Sequence, residues 1–148
     1  MSVKSRLKDD MKQAMRSGDK ARLGVIRMAL AAIQQREVDE RIELDEAALL
    51  GVIEKMIKQR RESVEQYRAG KREDLAAKEA AEIEVLSGYL PEPLGEDELA
   101  AMIEAAVAET GAASMKDMGR VMAQLRARAQ GRADMAVLSA RVKSRLGG

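Results

Sequence analysis

A chain of 148 residues has room for one domain or two small ones, and 34% charged against 46% hydrophobic side chains is enough apolar material for a folded core. The formal net charge is only +1, and there is no Cys and no His. That removes disulfides, thiolate chemistry and the side chain that most often serves as general base, metal ligand or near-neutral pH switch. Abundant Ala, Leu, Glu, Lys, Arg and Met, with no Phe or Trp, predict an all-α protein whose core is aliphatic and methionine-rich, because sheets favour β-branched and aromatic residues.

In chain order, the first helix is expected over about Val3–Ser17, with Leu7, Met11 and Met15 stacked along it and Gly18 as its stop. Asp19 caps a second helix of about 18 residues with the stripe Leu23, Ile26, Leu30 and Ile33. Residues 37–44 read as a turn, and Asp45 caps a long third helix to about Gly70. Its stripe is Leu50, Ile53, Ile57, Val64 and Tyr67, interrupted by Arg60. A fourth helix from about Asp74 aligns Leu75, Ile83, Leu86 and Leu90. Pro91 and Pro93 end it, since Pro disfavours helix in its predecessor and has no amide to donate.

The Pro-containing segment 91–94 is the best domain boundary in the chain. It separates a helical N-terminal domain of about four helices (1–90) from a small three-helix C-terminal domain (95–148). The three helices are expected at about Glu96–Thr110, Met115–Ala129 and from near Asp134 onward. Gly119, inside the second of them, reads as a site of close helix approach. No internal repeat or low-complexity tract appears. No stretch is long and apolar enough to span a membrane, and MSVKSRLKDD alternates charges where a signal peptide would be apolar, so a cytosolic protein is expected.

The small net charge hides an uneven distribution. Residues 1–90 carry 18 bases and 17 acids. Residues 91–110 carry six acids (Glu92, Glu96, Asp97, Glu98, Glu104, Glu109) and no base, whereas residues 111–148 carry eight bases against Asp117 and Asp134. A basic terminal segment predicts an anionic partner, unless the two segments neutralise each other across a helix interface.

Chemistry is poorly supported. Glu54, Lys58, Glu62, Arg61 and Glu65 stand at helical spacings that make ordinary ion-paired surface. The serines have no His, none lies in Gly-x-Ser-x-Gly, and a Ser–Lys pairing is left open by spacing alone. The glycines form no phosphate loop or dinucleotide fingerprint, and no loop has calcium-binding spacing. No catalytic residue, metal ligand or cofactor is therefore expected. The basic tail is the better candidate: Lys116, Arg120, Arg126, Arg128, Arg132 and Lys143, with Arg141 and Arg145 among them, suit phosphate recognition. Without aromatics to stack on bases, such a surface would read the shape and backbone of a folded RNA. Lys20 and Arg22, in the first turn of the second helix, are a weaker anion-site candidate.

Several segments stand out together: Gly18-Asp19-Lys20-Ala21-Arg22-Leu23, Lys55-Met56-Ile57-Lys58-Gln59-Arg60-Arg61-Glu62-Ser63, and Glu79-Ala80-Ala81-Glu82-Ile83-Glu84-Val85-Leu86 running into Tyr89-Leu90-Pro91. Asp117-Met118-Gly119-Arg120-Val121-Met122, Gly131-Arg132-Ala133-Asp134 and Val142-Lys143 complete a pattern that covers essentially the whole chain. It resembles the GatB/YqeY family, and its stand-alone YqeY-like members in particular. Gly95 departs from it, standing where a capping Ser is expected. The resemblance implies a C-terminal domain similar to the tRNA-binding tail of the B subunit of the glutamine-dependent Asp/Glu-tRNA amidotransferase. It further implies a bacterial tRNA-binding accessory of that system, with tRNA and amidotransferase or aminoacyl-tRNA synthetase components as partners. A label such as carbon–nitrogen ligase with glutamine as amide donor would then be inherited from the shared tail. The alternatives are a monomeric protein–protein adaptor whose basic face is satisfied internally and, third, an amide-transferring enzyme.

Overall fold

The computed structural model describes residues 2–147, and all regular structure in them is helical. The helices are α1 (Val3–Ser17), α2 (Lys20–Glu40), α3 (Glu46–Ala69), α4 (Glu73–Ser87), α5 (Glu96–Thr110), α6 (Met118–Ala129) and α7 (Met135–Gly147), with one 3-10 turn at Met115–Asp117. The fold class is all-α. Contacts divide the chain into two compact units, Met1–Leu90 and Pro91–Gly148.

In the first unit each of the first three helices is started by a side chain. Ser2 Oγ accepts from the Ser5 amide at 3.1 Å, Asp19 Oδ1 from Arg22 at 3.2 Å and Asp45 Oδ1 from Ala48 at 2.9 Å. Each satisfies a first-turn amide that has no partner within its helix. Gly18, at φ 73°, ends α1 in the left-handed conformation that costs glycine least. A three-residue connection, Gly70–Arg72, folds α3 and α4 into a hairpin, against which α1 and α2 pack. Leu7, Ile26, Ile33, Ile53 and Leu86 are fully buried at its centre.

Three details differ from the sequence expectation. Helix α2 continues through residues 37–40, which read as turn, because Glu37 is held on both sides. Its carboxylate accepts from Lys4 Nζ at 2.8 Å and from the Leu44 amide at 2.9 Å. The buried face of α3 comprises Leu49, Val52, Ile53, Met56, Ile57 and Val64, with Leu50 and Tyr67 only half-buried. That wider stripe is what a helix needs when it packs on α1, α2 and α4 at once. Met15, expected in the core, is 54% exposed, and Ala14 takes the buried place on α1.

The second unit is built on α6, with α5 and α7 both packed against it. Leu99, Ile103, Ala106 and Val107 from α5 meet Val121, Met122, Leu125 and Ala129 from α6 and Leu138 and Val142 from α7. The approach to α6 is a capping box: Ser114 Oγ faces the turn, while Asp117 Oδ2 accepts from the Ala113 and Ser114 amides at 3.0 and 3.3 Å. This tightens the expected first turn of that helix into 3-10 form. Leu94 belongs to this unit, since its amide donates to the Arg132 carbonyl at 2.9 Å and its side chain packs on the core. Gly119 does not mediate close approach. A Cβ there would meet nothing within 4 Å.

Candidate functional site

The six basic residues singled out in the tail fall on four pieces of structure. Lys116 lies in the 3-10 turn, Arg120, Arg126 and Arg128 on α6, Arg132 in the connection to α7, and Lys143 on α7. Arg126 and Arg128 flank the buried pair Leu125 and Ala129 and point about 200° apart around the helix, so α6 presents them on opposite sides. Lys116, Arg126 and Lys143 are exposed and, among the described residues, have no ion pair.

The arginines nearest the acidic helix are already partnered. Arg128 reaches Glu109 at 3.0 Å, and Arg132 reaches Glu98 at 3.5 Å while donating to the Glu92 carbonyl at 2.9 Å. From α7, Arg141 pairs with Glu96 at 2.8 Å, and Arg145 makes a fork to both oxygens of Glu104 at 2.7 and 3.2 Å. Arg120 folds back on Asp117. Arg145 holds the Glu104 carboxyl below the usual carboxylate range, and the Ala113 amide followed by Arg120 does the same to Asp117. These pairs are exposed, so each is individually weak and screened by salt. Together they set four of the tail's eight bases against acids of α5. The pairings of Arg141 and Arg145 span 45 and 41 residues, so local spacing gives no sign of them.

The first unit holds two tighter clusters. Tyr89 is 4% exposed, and its hydroxyl donates to Asp10, which is also 3.6 Å from Arg22. Arg6 lies over the Tyr89 ring at 5.0 Å and donates to the Gly88 carbonyl at 3.0 Å. Burial, then the hydrogen bond to Asp10, pushes the Tyr89 hydroxyl up to about 12. Arg22, a candidate for an external anion, thus has its anion in Asp10. In the second cluster Arg60, which interrupts the apolar face of α3, reaches across to α4. Its Nε donates to Glu82 at 3.1 Å and its Nη1 to the Met56 carbonyl at 3.2 Å. Burial, then the neighbouring charge of Glu82, raises the Glu79 carboxyl. Both clusters link helices to one another, and the motif strings that contain Arg60, Glu79, Glu82 and Tyr89 were their only signal in the sequence.

Among the described residues no group of three or more carboxylates lies together to hold a metal ion, and no helix is long and apolar enough to cross a membrane. A surface depression of about 290 Å³ lies between α5 and α7 and is lined by Ala100, Ile103, Glu104, Arg141, Ser144 and Arg145.

The family described as Yqey-like protein matches residues 4–146. The chain belongs to the YqeY-like family. Relatives of this YqeY-like chain include a protein of Pyrenophora tritici-repentis, 39% identical over 132 residues, or 86% of this chain and 73% of the relative. A Kluyveromyces lactis protein is 43% identical over 84 residues, covering 56% of this chain and 45% of the relative. A Saccharomyces cerevisiae protein is 37% identical over 87 residues, covering 58% and 47%. The chain therefore spans less than half the length of these two yeast relatives. All three are named altered inheritance of mitochondria protein 41, mitochondrial.

These names correct two expectations. The reading as a tRNA-binding accessory of the amidotransferase system does not stand: the relatives carry a mitochondrial-inheritance name. The sequence left open whether the bases of the tail face a partner or the acidic segment, and α5 partners several of them. The cytosolic and bacterial expectations fall on the same ground, since these relatives are fungal and named mitochondrial. An alternating charge pattern in ten residues speaks against an apolar export segment there and says nothing of the compartment.

Proposed function

We propose that this YqeY-like chain is a protein-binding module without chemistry of its own, built of two separately cored helical domains, four helices in the first and three in the second. The observation that carries the reading is the closure of Arg128, Arg132, Arg141 and Arg145 on acids of α5. A surface so neutralised offers a polyanion little net field, while its mixed charges suit a protein partner. The name of the fungal relatives supplies the process: the binding role belongs to inheritance of mitochondria or to its counterpart wherever this chain is made.

Two measurements test it. Titration with heparin at about 150 mM salt, where surface charges are screened beyond about 8 Å, should show no saturable binding by the unmodified chain. A Glu96→Gln, Glu104→Gln, Glu109→Gln variant, with its arginines released, should bind at least about tenfold tighter, as expected for added phosphate-type contacts. Saturable binding by the unmodified chain would defeat the reading. Photo-crosslinkers placed in cells at the exposed positions Val38 and Val137 should trap protein partners, and a complete lack of protein crosslinks would equally defeat it.

A further inference from the structure

The depression between α5 and α7 has walls of opposite charge. Its α5 side carries Glu104 and its α7 side Arg141 and Arg145, over a floor that includes Ala100 and Ile103, and Glu96 stands two turns before Glu104 on α5, outside the lining. The two helices pack on α6, and the ion pairs Arg141–Glu96 and Arg145–Glu104 bridge the space between them. Val137, one turn before Arg141 on α7, is 52% exposed.

We infer that this groove seats a single amphipathic helix of a partner protein, with acids facing α7, Lys or Arg facing α5, and small aliphatic anchors between them. The inference rests on the protein-binding reading above and names its surface. A helix reads such a groove through anchors at i, i+3, i+4 and i+7. At about 290 Å³ the depression stands at the low end of ligand clefts, so it accepts a few side chains of such a helix and no large ligand. The order of charge is the selective feature. An occupant in the stated orientation replaces exposed, screened internal pairs with pairs from which its own backbone excludes water, and a reversed one sets like charges against each other on both walls. A polyanion meets Glu104 on one wall and gains nothing there. The occupant would complete a four-helix arrangement on a three-helix unit and cover Val137.

The test is a displayed library of helical peptides panned on the full chain, with binding of enriched peptides then followed by fluorescence anisotropy. Enriched sequences should share an aliphatic seam with acids on one flank and bases on the other. Ser144→Trp fills the groove from an exposed position and should weaken binding at least tenfold while leaving the helical circular dichroism unchanged. Arg141→Glu with Arg145→Glu should also weaken it tenfold, and a peptide whose acids are changed to Lys should recover it. Peptides that bind Ser144→Trp as well as the unmodified chain overturn the groove and leave the protein-binding reading standing. Absence of any enriched helix also overturns it, as does a dimer in light scattering that enriched peptides do not dissociate. Heparin binding by the unmodified chain overturns the underlying reading instead.

Discussion

Tyr89 shows how much a single side chain organises in a protein with two aromatics. It closes the last turn of the first unit by donating to Asp10 on α1, under the guanidinium of Arg6. Burial first and the Asp10 hydrogen bond second oppose its ionisation, so its folded-state pKa is about 12 against an ordinary 10.0. A folded pKa above the unfolded one means that this contribution to stability is fully present below pH 10 and is lost as pH rises toward 12. In a Tyr67→Phe background, tyrosinate absorbance should therefore titrate well above the ordinary value, and a midpoint near 10 would contradict the burial described. Tyr89→Phe should cost about 1 kcal/mol at neutral pH, the usual worth of one hydrogen bond, and should remove the alkaline loss. Two glycines invite the opposite change. Gly95 caps α5 with no side-chain acceptor and Gly119 stands in open space. Gly95→Ser should add a few tenths of a kcal/mol. Gly119→Ala should add up to about 1 kcal/mol, and a Tm below that of the unmodified chain would mean that its surroundings are tighter than found.

Between elements, the Arg60 contact of α3 with α4 is the least exposed ion pair in the described residues, its two side chains 12% and 15% accessible. Removing one partner strands the other in a place with little water. Glu82→Ala should therefore destabilise the chain by about 1.5–3 kcal/mol, as for a hydrogen bond to a charged group. Urea denaturation gives this number directly, and a change under about 0.5 kcal/mol would make the pair ordinary surface. Glu79 works in the other sense. Its raised pKa means that stability is full below the ordinary glutamate value of about 4.3 and falls as pH rises through its folded value, so Glu79→Gln should stabilise at neutral pH. Glu104 and Asp117, both lowered, contribute stability that disappears as the medium is acidified below that range. Elements were the most legible level in the sequence. Caps at Asp19 and Asp45, the stop at Gly18 and the break at Pro91 all depend on neighbours within a few residues. The end of α2 was misjudged because Glu37 is fixed by Lys4, 33 residues away. The face of α3 was drawn too narrow because periodicity shows one stripe and not how many helices will cover it. The tail kept two readings for the same reason: its arginines are clustered in sequence, but their carboxylates lie up to 45 residues earlier.

For the molecule as a whole, the two cores differ in what they can sustain alone. The first unit gathers its core from four helices and the second from three, in fewer than sixty residues. A domain near sixty residues buries only about 60% of the surface its unfolded chain exposes and is correspondingly marginal. The segment between them is exposed at Pro91, Glu92 and Pro93, and the Glu92 carbonyl and Leu94 amide are both tied to Arg132. A fragment beginning at Pro91 keeps those two ties and one beginning at Gly95 loses them. Residues 1–90 alone should give a cooperative thermal transition close to that of the intact chain. Residues 91–148 should fold with a lower Tm, and residues 95–148 should be less stable still, by about 1–3 kcal/mol for two lost hydrogen bonds and an uncovered Leu94. Equal stability of the two shorter fragments would show that the Pro-containing segment is a tether and no part of the second core. A loss on the expected scale would place the working boundary before Pro91, five residues earlier than the first helical residue of the unit, Glu96.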